Sequence, residues 1–146
     1  MADLVRILED YSNSNDIIFR YGSKSHLNLL EGREELTEDK VHLLLFPVRR
    51  GLFDRSTSSR VVNGSFFLVM PDNFDRHYFN EREQPTADSK YTLKIEPLNV
   101  YATSMQIYLD SCGEIDVLTF DSVEAIDVLD ANVTGLFITY QFRVYE

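Results

Sequence analysis

The chain has one cysteine, no tryptophan and few cations, and the first and last of these shortages each exclude a class of protein. A single thiol, Cys112, supports neither an internal disulfide framework nor a multi-cysteine zinc site, and it suits a reducing interior. No run of about 18 apolar residues occurs, so no membrane-spanning helix is expected. The opening Met-Ala-Asp-Leu-Val-Arg lacks the basic-then-apolar layout of a signal peptide, and a soluble species with no membrane partner is expected. Lys and Arg number 14 against 24 Asp and Glu, a net charge of −10. That balance argues against nucleic acid as the main partner, because neutralising phosphates requires clustered cations. It favours a basic or mixed-charge protein partner. There is no internal repeat or low-complexity segment.

What is present suits one domain, residues 1–146. Hydrophobic residues make up 44% of the chain and aromatics 12%, the latter 8 Tyr and 10 Phe, enough for one core. The strongest single signal is C-terminal. Leu136, Ile138, Tyr140, Phe142 and Val144 alternate with Phe137, Thr139, Gln141, Arg143 and Tyr145, the pattern of a strand with one face on a core. Its hairpin partner is Glu114–Leu129, with the corner at Asp130-Ala131-Asn132.

From the other end, Leu4, Val5, Leu8 and Tyr11 predict a helix over Ala2–Tyr11, stopped by Ser12-Asn13-Ser14-Asn15. Asp16–Tyr21 reads as a short strand ended by Gly22, and Ser23–Lys40 as a loop with at most a helical turn. Val41–Arg50 reads as one strand that bends or reaches an edge at Pro47. Gly64–Pro71 is almost wholly apolar, as expected of a central strand buried on both faces. Phe74–Ser89 is polar with interspersed aromatics. Tyr91, Ile95, Leu98, Ala102, Met105, Leu109 and Cys112 then step by four and three, predicting a helix over Lys90–Gly113 capped by Gly113. Pro97 either kinks it or sits in its first turn after an extended lead-in. The expected order is α-β-β-β-α-β-β: an α+β domain, a mostly antiparallel sheet flanked by two helices, with a long protruding hairpin arm at 49–64.

No catalytic set emerges, and neither catalysis nor a cofactor is expected. Asp72, Asp75, His77 and Glu81 offer oxygen ligands but lack the glycine and alternate spacing of a cation loop, so they read as a solvated turn. His26, His42 and His77 are spread over three elements. Cys112 lies on the apolar stripe of its helix, where an inert thiol is expected. Gly22-Ser23-Lys24-Ser25 lacks the first glycine and the spacer of a phosphate loop, and no strand–turn–helix elbow frames Ser23, Ser25 and His26.

Two charged stretches stand out instead. In Arg49–Gly64, Arg49, Arg50, Arg55 and Arg60 against Asp54 leave a local charge of +3. From Glu114 to Asp130, Glu114, Asp116, Asp121, Glu124, Asp127 and Asp130 meet no cation, leaving −6. Chains carrying both stretches would associate head to tail, and such contacts close into rings where the rotation permits.

Several segments carry a family likeness. They are Phe19-Arg20-Tyr21-Gly22 with Leu27-Asn28 and Val41–Pro47, then Phe67-Leu68-Val69 with Asp72 and Phe74-Asp75, then Lys90-Tyr91 with Ile95 and Pro97-Leu98. The fullest is Asp127-Val128-Leu129-Asp130-Ala131-Asn132-Val133-Thr134-Gly135-Leu136, where a glycine lets the last strand begin against a close neighbour. From Leu4 to Val144 the chain resembles small tail completion or tail terminator-like proteins of phages and prophages, especially of Bacteroidales, including the crAss-like group. The resemblance implies an α+β virion protein without catalytic residues. It would be assembled in the bacterial cytoplasm and form a ring at the portal/neck–tail junction, six-fold on a long tail or twelve-fold against a portal. Portal, neck or tail proteins would adjoin it, and nucleic acid would meet it only where DNA passes through the lumen. Hairpin arms and sheet edges would make the contacts. Here these map to Arg49, Arg50, Arg55 and Arg60 of the arm, to Glu124, Asp127 and Asp130, and to Phe137 and Tyr145 of the terminal strand. The other class of function is an acidic adaptor or inhibitor module that binds a basic protein.

Overall fold

The structure, a computed structural model, describes residues 3–22, 40–71, 91–128 and 133–146. Helix α1 spans Leu4–Ser14, entered through Asp3, whose carboxylate accepts from Val5 N at 3.1 Å. It runs past the expected stop at Ser12. That hydroxyl donates to the Leu8 carbonyl at 2.8 Å inside the helix, and Asn15 Nδ2 donates to the Tyr11 carbonyl at 2.8 Å just beyond it. The polar run therefore bonds backward along the helix before it ends it. Asp16, at φ 56°, turns the chain into β1 (Ile17–Tyr21).

The expected single strand Val41–Arg50 is two strands, β2 (Val41–Leu45) and β3 (Arg49–Asp54). Pro47 between them has no N–H to give the ladder, so the chain bends and resumes. β4 (Ser59–Pro71) pairs with both along one side, through Phe66–Val69 to β2 and Ser59–Asn63 to β3. Phe66, Phe67, Leu68 and Val69 are consecutive and all buried, the mark of a central strand covered on both faces.

A wide helical turn, Tyr91–Ile95, leads into α2 (Glu96–Ser111), so Pro97 lies in the first turn, where its missing N–H costs nothing. The lead-in is helical rather than extended. Leu98, Ala102, Met105 and Leu109 are buried as the stripe predicts, and Gly113 ends the helix in the left-handed region at φ 77°. β5 (Ile115–Val128) and β6 (Val133–Tyr145) form the C-terminal hairpin.

The path through the sheet is β1-β2-β4-β6-β5, with β3 continuing the β2 side beside β4. All pairs are antiparallel except β1 with β2. Both helices cover one face. Leu8 and Tyr11 of α1 and the α2 stripe pack with Leu43, Leu45, Phe66, Leu68 and the five alternate side chains of β6. The helices touch each other where Tyr11 Oη donates to Ser104 Oγ at 3.1 Å and its ring meets Tyr108 at 5.1 Å. On the opposite face Phe46, Phe67 and Phe137 form a second apolar cluster, with ring centroids 4.9–6.4 Å apart. The α+β class with two helices and a mostly antiparallel sheet is as expected.

Candidate self-association edges

The basic stretch forms the β3–β4 hairpin. Every residue from Arg49 to Ser58 is exposed, and Leu52 is 95% accessible. A bulge between Arg50 and Phe53 interrupts β3, where Gly51 lies so close to β4 that a Cβ would stand 2.9 Å from the Val61 carbonyl oxygen. At the turn, Asp54 accepts from Ser56 N at 2.9 Å and from Ser56 Oγ at 2.7 Å. The Ser56 hydroxyl, then the backbone amide, hold the Asp54 carboxyl below its ordinary value, so its charge is committed to the turn.

The hairpin is also tied to the body of the sheet. β4 pairs with β6 from Ser59↔Tyr145 to Pro71↔Val133, and the Ser58 carbonyl accepts from Glu146 N at 2.9 Å. Arg143 Nη1 donates to Ser59 Oγ at 3.2 Å. Only the turn Arg55–Ser58 lies beyond these ladders.

The terminal strand departs from expectation. β6 lies between β4 and β5 with ladders on both sides, so it is not an edge. Phe137 packs into the Phe46–Phe67 cluster and Tyr145 Oη donates to Asp116 at 2.6 Å, so both have partners within the chain. The hydrophobic alternation that identifies a strand with a buried face carries no information about which strands flank it.

The outer strand on that side is β5. Among the described residues no strand pairs with its outer side, nor with that of β3. Bulges lie between Val117 and Thr119 and between Ala125 and Val128, leaving Thr119–Ala125 as an unbroken stretch on β6. Asp121 and Glu124 are exposed there, beside Val123 at 65% accessible, with Leu118 exposed just before them. The Asp127 side chain and all of Asp130 lie outside the described residues, as do His26, His77, Ser23–Ser25, the Asp72–Glu81 group and the 130–132 corner.

The structure therefore brings Arg49, Arg50 and Arg55 together on one outer strand and its turn, and Asp121 and Glu124 on the opposite one. Arg60 is half-buried and its Nε has no acceptor. It lines an open cleft of about 680 Å³ between α1 and the hairpin, with Arg6, Asp10, Arg50, Glu114 and Glu146 around a floor that includes Leu4 and Val62. Sequence reading misses this cleft, because its walls come from four separate parts of the chain and leave no local pattern. Cys112 is partly buried, its Sγ 3.2 Å from the Leu109 carbonyl. His42 is buried on β2. Among the described residues no group of three His, Cys, Asp or Glu is placed to hold a metal, and no helix is long and apolar enough to cross a membrane.

A comparison with protein-family models finds no match, and a comparison with curated proteins finds none either.

Proposed function

We propose that the protein is a self-assembling structural subunit, not an enzyme: a ring-forming component of a phage head–tail junction, in the virion neck or tail. One observation carries this reading. At the end of the sheet where the order runs β3-β4-β6-β5, the two outer strands lack neighbours among the described residues and bear opposite charge. Exposed Leu52 and Phe53 on one side and Leu118 and Val123 on the other are the apolar surface that a contact between copies would cover. The family likeness of the sequence supplies the phage context, and with it the adjoining portal, neck or tail proteins and the six- or twelve-fold alternatives.

Light scattering on the purified protein at rising concentration, followed by electron microscopy, tests the proposal. A closed ring is expected. A monomer under all conditions, absent from particles, would sink the reading. A second reading, an acidic module for a basic protein partner, is favoured by the exposed carboxylates of β5. Recovery of one stoichiometric basic partner by a protein that never self-associates would select it.

A further inference from the structure

We infer that the outer face and edge of β5 in one copy, at Thr119–Ala125, dock against the β3 strand and turn of a second copy, a contact that rests on the assembling role proposed above. The two surfaces match in kind. On β3 and its turn, Arg49, Arg50 and Arg55 surround exposed Leu52 and Phe53, and Asp54, the carboxylate of that hairpin, is engaged by Ser56. On β5, Asp121 shares a face with exposed Val123, opposite Thr139 and Phe137 of β6, while Glu124, opposite Leu136, stands on the other face of the same edge, and Leu118 precedes them. Arginine with carboxylate at the rim of an apolar contact is the combination that both orients and desolvates an interface.

Three alternatives for the β5 edge are weaker. Pairing of β5 with its own copy across a two-fold axis would set Asp121 and Glu124 against the same carboxylates, and like charges facing each other disfavour it. Nucleic acid is repelled by the same residues. Docking into the cleft beneath α1 would bring the carboxylates against Asp10, Glu114 and Glu146, which line it together with its arginines. Of the β3 surface only Arg50 borders that cleft, while Arg49, Leu52, Phe53 and Arg55 stand outside its lining.

The geometry also fixes the type of assembly. β3 and β5 are on opposite sides of the same four-strand width, with β4 and β6 between them. A contact between unlike surfaces on opposite sides is heterologous, so an open chain of copies retains one unused surface of each kind, one at each end, until it closes. A dimer does not satisfy it.

Charge exchange in the full-length protein tests the contact. R49E/R50E and D121R/E124R change only exposed positions, and circular dichroism and melting should report the fold unchanged. Each double variant alone should lose assembly at about 0.1 M salt by light scattering, at least tenfold in the concentration required. Mixing the two should restore it, because the acidic hairpin of one meets the basic β5 of the other. The quadruple variant should assemble by itself. Variants that assemble like the wild type, or a mixture that stays monomeric while the wild type forms its ring, overturn this contact and leave the assembling role standing. A wild-type protein that is monomeric throughout overturns both.

Discussion

Strands β6 and β3 belong to one sheet and have opposite environments. In β6 the side chains of Leu136, Ile138, Tyr140, Phe142 and Val144 are all buried, none above 4% accessible, and both sides of the strand are paired. In β3 all six residues are exposed and the ladder to β4 is broken by a bulge. The difference separates two uses of the same backbone pattern. One strand gains its stability from its own chain. The other presents charge and apolar surface that its own chain does not cover.

Truncation is the most severe test of that contrast. Phe142→Ala should cost roughly 4 kcal/mol in urea unfolding, because a fully buried ring leaves a cavity among Phe120, Tyr140 and the helices. A loss below about 1 kcal/mol would mean β6 is less embedded than described. Next comes Gly135→Ala, expected to cost about 3 kcal/mol by the same measurement. A Cβ there would collide with the Leu68 carbonyl oxygen and stand 2.7 Å from Val69 Cα.

A smaller change in the opposite direction is expected at Tyr140. Its hydroxyl is buried without a partner and packs over Gly64, where an added Cβ would lie 2.7 Å from it. Tyr140→Phe should therefore gain about 1 kcal/mol. Burial, first of all, holds this phenol well above its ordinary 10.0. The folded state thus favours the neutral phenol. Its contribution is complete below pH 10.0 and declines as alkali ionises the unfolded chain. The variant should lose part of that alkaline decline, and an unchanged profile would place its origin elsewhere.

At the bottom of the scale, Leu52→Ser should move unfolding by less than ~0.5 kcal/mol, since the side chain is 95% exposed. It should weaken self-association all the same. Separate effects on stability and assembly would sharpen the contrast between the two strands. A large loss of stability would erase it.

Much of this fold is legible locally. The alternation of β6, the apolar stripe of α2 and the left-handed cap at Gly113 each follow from a few neighbouring residues. Neighbours in space do not. The parallel β1–β2 pair, the sharing of one side of β4 between β2 and β3, and the enclosure of β6 depend on partners far along the chain. A residue such as Tyr145 gives no local sign that it faces Ser59. The candidate surfaces were half legible for the same reason. Charge runs mark the hairpin and β5, while their placement on opposite outer strands emerges only from the topology.

The long β4–β6 ladder has a consequence for how the molecule is made. β4 carries the buried run Phe66–Val69, and the strand that covers its second side comes later in the chain, after α2 and β5. During translation that sticky stretch waits for its partner through the synthesis of α2 and β5, a delay that long-range strand pairing imposes on folding rate. Until β6 has emerged, one side of that run has no strand to pair with, and exposed apolar surface of this kind is what makes partly folded chains prone to aggregate.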